Sequence, residues 1–95
     1  MNYNWIESLL DLTERRTAEI TFDPHAIDRT EYYNLDLDKA EETVRTGIVI
    51  VGKCEEPNKI CFERYFGKEN ATYCVLARFH QNFIEVKTIW PRNGR

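Results

Sequence analysis

Residues that mark metal and redox proteins are scarce in this sequence. It holds two histidines and three cysteines, and no two cysteines have C-x-x-C spacing (Cys54, Cys61, Cys74). A structural zinc site normally needs such pairs, and an odd cysteine count without a secretion signal is typical of reduced thiols. The sequence therefore predicts no metal, no cofactor and no catalytic role for the cysteines.

Long apolar runs and glycine-rich segments are also missing. No stretch approaches the roughly 20 apolar residues of a membrane span, and the N-terminal residues lack the basic start and apolar run of a signal peptide. The four glycines form no phosphate-binding loop, and no internal repeat occurs. We therefore expect a cytoplasmic protein that does not contact membranes.

The composition present is that of one globular domain covering residues 1–95. Hydrophobic residues make up 42% of the chain and charged residues 31%, which favours a packed core over disorder. Residues 1–46 carry five Lys/Arg against eleven Asp/Glu, a net −6, whereas residues 47–95 carry eight against five, a net +3. A polyanion would prefer the second half and a basic partner the first, although solvated helices are often acidic too.

The first half has helical periodicity. Residues 1–17 form an N-terminal segment whose helix is predicted from Tyr3 or Asn4 to Arg16, with an apolar stripe that packs on the protein's own sheet or on a partner (Trp5, Ile6, Leu9, Leu10, Leu12). A strand over Ala18–Phe22 should follow.

Two more helices are predicted before Gly47. Asp23-Pro24 combines a favoured N-cap with a favoured first helical residue, so a helix should begin there and end near Tyr33-Asn34. His25 and Arg29 are four apart and so share one face of it. The next helix should begin at Asp36 or Asp38.

The second half reads as strands. The apolar run Ile48–Val51 predicts a strand covered on both faces. Period-two patterns predict strands over Lys59–Phe66, Ala71–Phe79 and Phe83–Trp90, joined by turns at residues 67–70 and 81–82. The fold class is therefore α+β, with N-terminal helices packed on a small, mostly antiparallel sheet that ends in a three-strand meander.

The two turns also predict the register of the meander, and with it the two faces. The core face should carry Ile60, Phe62, Arg64, Phe66, Tyr73, Val75, Ala77, Phe79, Ile84, Val86, Thr88 and Trp90. The opposite face should carry Lys59, Cys61, Glu63, Tyr65, Thr72, Cys74, Leu76, Arg78, Phe83, Glu85, Lys87 and Ile89. The apolar members of that face need cover, from the N-terminal helix or from another subunit.

Residues 18–91 show a family resemblance. Phe22–Ala26, then Leu37–Val44, then the three-strand ending resemble the BrnT-like branch of the RelE/ParE toxin superfamily. A related family shares a histidine near the helix start, an arginine one turn later and a closing strand that ends in tryptophan, here His25, Arg29 and Trp90. The resemblance implies a toxin-like fold, and it suggests a metal-independent ribonuclease of a toxin–antitoxin pair.

Cleavage of RNA without a metal needs a base for the 2′-OH, an acid for the 5′-oxygen and cations for the phosphorane. The resemblance implies that these come from Arg, Lys, Tyr and sometimes His or Glu on the sheet. The catalytic candidates are then Arg78, Lys87, Tyr65 and Arg64, with Tyr73 and His80 as further members, RNA-binding candidates Arg92 and Lys68, and a possible polar site at His25 and Arg29.

The catalytic candidates Arg78 and Arg64 also have structural interpretations. Arg78 lies opposite Glu85 in the predicted register, where the two would form a cross-strand ion pair. Arg64 falls on the core face and would need an acidic helix residue such as Asp28 or Glu31 as partner.

Two functions of different classes thus remain open. One is a toxin-like domain that acts on RNA or is blocked by an antitoxin-like protein. The other is a non-catalytic protein-interaction domain, a homodimer joined through the opposite face of the sheet, which we call the second face. Glu63 and Glu85, on the face that RNA would use, favour the second, because carboxylates repel phosphate.

Overall fold

A computed structural model describes residues 4–94, and the α+β prediction is confirmed. The elements are α1 Asn4–Leu12, β1 Glu19–Phe22, α2 Pro24–Tyr33, α3 Leu37–Thr46, β2 Ile48–Val49, a 3-10 helix Val51–Lys53, β3 Lys59–Phe66, β4 Ala71–Phe79 and β5 Phe83–Asn93. The alternative helix start at Tyr3 lies outside the described residues.

The strands form one five-stranded sheet in the order β1-β5-β4-β3-β2. β1 runs parallel to β5, and the other neighbours are antiparallel. All three helices contribute to the hydrophobic core, with Ile6 from α1, Ala26 from α2, and Ala40 and Val44 from α3. The N-terminal helix therefore packs on the protein's own sheet, one of the two alternatives that its apolar stripe allowed.

The predicted register of β3 on β4 is confirmed. Phe62 pairs with Val75 and Arg64 with Tyr73. Phe62, Val75 and Val86 have no exposed surface, so this face of the sheet, which we call the helix-covered face, holds the centre of the core.

The register of β4 on β5 is correct only up to Val86. A β-bulge at Lys87 leaves that residue without a partner in β4, so Val86 pairs with Ala77 but Thr88 pairs with Leu76. One extra residue reverses the side-chain alternation that follows it. Ile89 is consequently the buried core residue, and the prediction that Thr88 and Trp90 face the core is wrong.

The first helix ends at Leu12, four residues before the predicted end at Arg16. Arg15 donates from Nη1 to the carbonyl oxygens of Val44 and Gly47, both at 2.9 Å. Arg45 donates in return to the carbonyl oxygens of residues 15 and 18. Carbonyl groups at a helix C-terminus have no partner within the helix. Because Arg15 supplies the donors for those at the end of α3, the chain after Leu12 leaves the helical path.

The strand predicted over Ile48–Val51 is wrong in length and in burial. β2 holds two residues at the sheet edge, and Ile48 is 68% exposed. Beyond β2, the Cys54 thiol makes hydrogen bonds where the pairing of the two strands would otherwise continue. Its Sγ accepts from the Cys61 amide at 3.4 Å and donates to the Ile50 carbonyl oxygen at 3.5 Å. A strand at the edge of a sheet has one side open, and an apolar run in the sequence does not show whether its strand lies at an edge.

The last strand continues past its predicted end, through Pro91 to Asn93. β1 pairs only with residues 83–86 of β5, so β5 is an edge strand by the time it reaches Pro91. Proline is tolerated there because no neighbour requires its missing amide.

Candidate functional site

The start of α2 is fixed by Asp23. Its Oδ1 accepts from the His25 amide at 2.8 Å, and Pro24 is the first helical residue. The amide of Asp23 also donates to the Val86 carbonyl oxygen at 2.9 Å. This bond holds the helix N-terminus directly beside β5, so the capping residue predicted from Asp-Pro also anchors the helix to the sheet.

The bulge in β5 places Lys87 at that helix start. Lys87 Nζ lies 2.6 Å from Asp23 Oδ2 and 3.8 Å from Glu85 Oε2. The hydrogen bond from Lys87, followed by that from the His25 amide, holds the pKa of Asp23 below its ordinary value. The carboxylate thus stays ionised and keeps the ammonium group at the N-terminus of α2.

His25 and Arg29 lie on one exposed face of α2, as their spacing predicts. Arg29 Nε donates to His25 Nε2 at 3.5 Å, the outer limit of a hydrogen bond. The Arg29 guanidinium carbon also lies 5.7 Å from the centre of the Tyr32 ring, within cation–π range.

A second imidazole extends the cluster on the β5 side. His80 Nε2 lies 2.9 Å from Glu85 Oε1, and its ring stacks on Phe83 with centroids 4.3 Å apart. Glu85 therefore links His80 to Lys87. We call this chain of contacts the α2 site, made of Asp23, His25, Arg29, His80, Glu85 and Lys87.

The α2 site brings together residues that were predicted to lie in separate sites. Lys87 was predicted as a catalytic sheet residue and His25 with Arg29 as a separate polar site, yet Asp23 contacts both Lys87 and the His25 backbone. Asp23 was predicted only as a helix cap. Its Asp-Pro signal was visible, but its ionic role depends on the bulge, for which the sequence gives no signal.

Arg78 does not join the α2 site. It lies opposite Glu85 in the register, as predicted, but no ion pair between the two is found among residues 4–94, because Glu85 bonds His80 and Lys87 instead. The Nε of Arg78 is buried and has no hydrogen-bond partner in that part of the chain.

Arg64 lies on the helix-covered side at the end of α3. Its Nη1 donates to a Glu42 carboxylate oxygen and, at 2.8 Å, to Thr46 Oγ1. The predicted partners Asp28 and Glu31 are wrong, because the strand end that carries Arg64 lies beside α3 and not α2. These two hydrogen bonds give Arg64 a structural role, because they link the end of β3 to α3.

The remaining predicted residues lie toward the other end of the sheet. Tyr65 donates from its hydroxyl to Asn70 Oδ1 at 2.9 Å, and Lys68 is exposed in the turn between β3 and β4. Tyr65 pairs with Thr72, six residues and about 20 Å along β4 from Arg78. The four predicted catalytic residues therefore do not converge on one point.

Arg92 has a carboxylate partner. Its Nη2 lies 2.9 Å from Glu63 Oε1, and Lys53 Nζ lies 3.4 Å from Glu63 Oε2. Burial raises the pKa of Glu63, but the two cations outweigh it, so the pKa is lowered. This triad spans the second face of the sheet, which also carries Cys61, Thr72, Cys74, Leu76, Arg78, Thr88 and Trp90.

The second face is covered in part by the protein itself. Cys61, Thr72 and Cys74 are buried, and the segment that holds the 3-10 helix lies over β3. Burial raises the pKa of Cys61 to about 12 and that of Cys74 to about 11, so both stay protonated thiols. One opening on this face is a groove of about 440 Å³ lined by Gly52, Lys53, Cys54, Glu55, Leu76, Thr88 and Trp90.

Comparison with known proteins adds no relative. No protein-family model, curated protein or solved structure matches this chain. Among the described residues, no group of three or more His, Cys, Asp or Glu side chains is placed to hold a metal ion, and no helix within residues 4–94 is long and apolar enough to cross a membrane.

Proposed function

We propose that this domain is a ribonuclease of the RelE/ParE toxin type that cleaves single-stranded RNA at the α2 site. The observation that carries the proposal is the contact between Lys87 and Asp23. It brings a sheet ammonium group to the helix start where an imidazole and a guanidinium already lie together. The segment whose order of strand, Asp-Pro and helix resembles the BrnT-like branch is the one that forms this helix start.

The chemistry of RNA cleavage assigns a role to four residues of the α2 site. His25 takes the proton of the 2′-OH, and the 2′-oxygen attacks the adjacent phosphorus. The bond to the 5′-oxygen breaks, leaving a 2′,3′-cyclic phosphate, and the Lys87 ammonium group gives its proton to that oxygen. Arg29 carries the charge of the phosphorane, and Asp23 positions Lys87.

The test is cleavage of a labelled single-stranded RNA by purified protein, alone and with ribosomes. Lys87→Ala and Arg29→Ala should each lower the rate by at least ~100-fold, since each removes a cation from the transition state. Arg16→Ala is the matched control, because it removes an equal charge from an exposed residue between α1 and β1, outside the α2 site. A strand with 2′-deoxyribose throughout should resist cleavage.

Asp23→Asn isolates the ion pair. Asparagine is as good an N-cap as aspartate, so α2 keeps its start while Lys87 loses the nearer of its two carboxylate partners. Cleavage should fall and the melting temperature should change little. Wild-type protein that cleaves neither RNA nor ribosome-bound message would refute the proposal, as would an Arg29→Ala variant that cleaves normally.

A second function, a homodimer joined through the second face, is favoured by two observations. The groove beside Leu76 lies on that face, and so does the Nε of Arg78, which has no hydrogen-bond partner among the described residues. A buried donor without a partner is costly. A twofold interface presents the same patch from both subunits. Light scattering should then give twice the monomer mass, and Leu76→Lys should give a monomer; a wild-type monomer at high concentration excludes this function.

A further inference from the structure

Tyr32 is a large side chain that the fold leaves in solvent. It is 75% exposed, so its ring contributes little to the core. The ring of Tyr33 meets it edge-on, with centroids 4.8 Å apart at an angle of 83°. This edge-on contact leaves most of the Tyr32 ring in solvent.

The ring continues the exposed stripe of the α2 site. His25, Arg29 and Tyr32 occupy positions i, i+4 and i+7 of one helix, which puts them on one side of it within about 10 Å along the axis. Arg29 contacts both neighbours, His25 at 3.5 Å and the Tyr32 ring centre at 5.7 Å. An imidazole, a cation and an aromatic ring thus follow one another along the helix.

The charges around this stripe limit what electrostatics can supply to RNA binding. The first half of the chain has a net charge of −6, and Asp28 and Glu31 are exposed on the same helix. Few cations release few counterions, so phosphate contacts alone give weak binding. A bound strand needs a second source of affinity at this helix.

We propose that Tyr32 is a base-stacking residue, on which a nucleotide next to the scissile phosphate lays its base. This inference rests on the proposed ribonuclease function and names its substrate as unpaired RNA. A base inside a duplex is already stacked on both faces, so only a single strand can offer it. Every base has a π-face, so a stacking residue selects single strands with little preference for base identity.

The probe is a fluorescein-labelled, fully 2′-O-methylated eight-nucleotide RNA, which binds without being cleaved. Loss of a stacking side chain weakens binding by about 5- to 150-fold, so Tyr32→Ala should raise Kd by an amount in that range. Tyr32→Phe keeps the ring and should stay within ~2-fold of wild type. Tyr32→Leu keeps apolar bulk but no ring and should behave like Tyr32→Ala.

The same strand annealed to its complement supplies the second arm. Its weaker binding should be the same for wild type and Tyr32→Ala, since no base is free to stack. In steady-state cleavage, Tyr32→Ala should raise KM more than it lowers kcat. Circular dichroism checks folding, which an exposed side chain should not affect.

The outcomes separate this inference from the function it rests on. Wild-type protein that cleaves RNA while Tyr32→Ala binds the probe normally overturns the stacking role alone. Protein that binds the probe through Tyr32 but cleaves no RNA overturns the ribonuclease and leaves the stacking role standing. Equal loss of binding in Tyr32→Phe and Tyr32→Ala would assign the effect to the hydroxyl group and overturn the inference.

Discussion

Substitution of Gly47 by alanine tests the junction between α3 and the sheet. A Cβ at this position would lie 2.5 Å from the Thr43 carbonyl oxygen and 2.8 Å from the Glu63 carbonyl oxygen. Both contacts are with backbone atoms, which cannot rotate away as a side chain can. The chain that leaves α3 must therefore move from β3 for any residue larger than glycine to fit.

The magnitude follows from two opposing effects. The backbone at Gly47 has φ −73° and ψ 168°, which alanine adopts freely, so the loss of unfolded-state entropy alone would stabilise the protein by about 0.4–1 kcal/mol. Forcing extra volume into a packed site costs about 1–3 kcal/mol. We expect the steric effect to win and Gly47→Ala to lower the free energy of unfolding by about 1–2 kcal/mol, with a fall in Tm of about 4–16 °C.

Gly52→Ala is the matched control. A Cβ there meets no atom within 4 Å, so only the entropic effect remains and stability should stay equal or rise by up to about 1 kcal/mol. Urea unfolding of the two variants beside wild type, with equal m-values, measures the difference. Gly47→Ala as stable as Gly52→Ala would refute the close approach of α3 to β3.

Three further predictions concern the sheet. Ile89→Ala should cost about 2–5 kcal/mol, as expected for a buried side chain, and more than Trp90→Ala, which removes a partly exposed ring; the reverse order in urea unfolding would contradict the bulge. Cys61 and Cys74, with their raised pKa values, should resist iodoacetamide at pH 8 in folded protein and react once it is unfolded, and rapid labelling of the native state would contradict their burial. The lowered pKa of Glu63 stabilises the fold above the unfolded value near 4.5, and this contribution is lost as pH falls through the folded pKa. Glu63→Gln should therefore destabilise the protein by about 1–2 kcal/mol at pH 7 and converge with wild type in acid, whereas a difference independent of pH would exclude the charge as its cause.

Features that depend on neighbours along the chain could be predicted without the structure. Asp23-Pro24 carries the donors and dihedral preference of a helix start within a few residues, so the start of α2 was predictable. The turn at residues 67–70 likewise made it possible to predict which residues of β3 and β4 face each other, and thus the burial of Phe62 against Val75.

Features that depend on packing between distant segments could not be predicted in this way. Because of the bulge at Lys87, Ile89 lies in the core where Trp90 was predicted. One extra residue reverses the face of every side chain that follows it, and the alternation of residue types along the sequence does not show the change. The same bulge brings Lys87 to Asp23, 64 residues away, and so creates the α2 site. A contact of that separation exists only once β1 lies parallel to β5, a pairing for which neither strand carries a signal of its own.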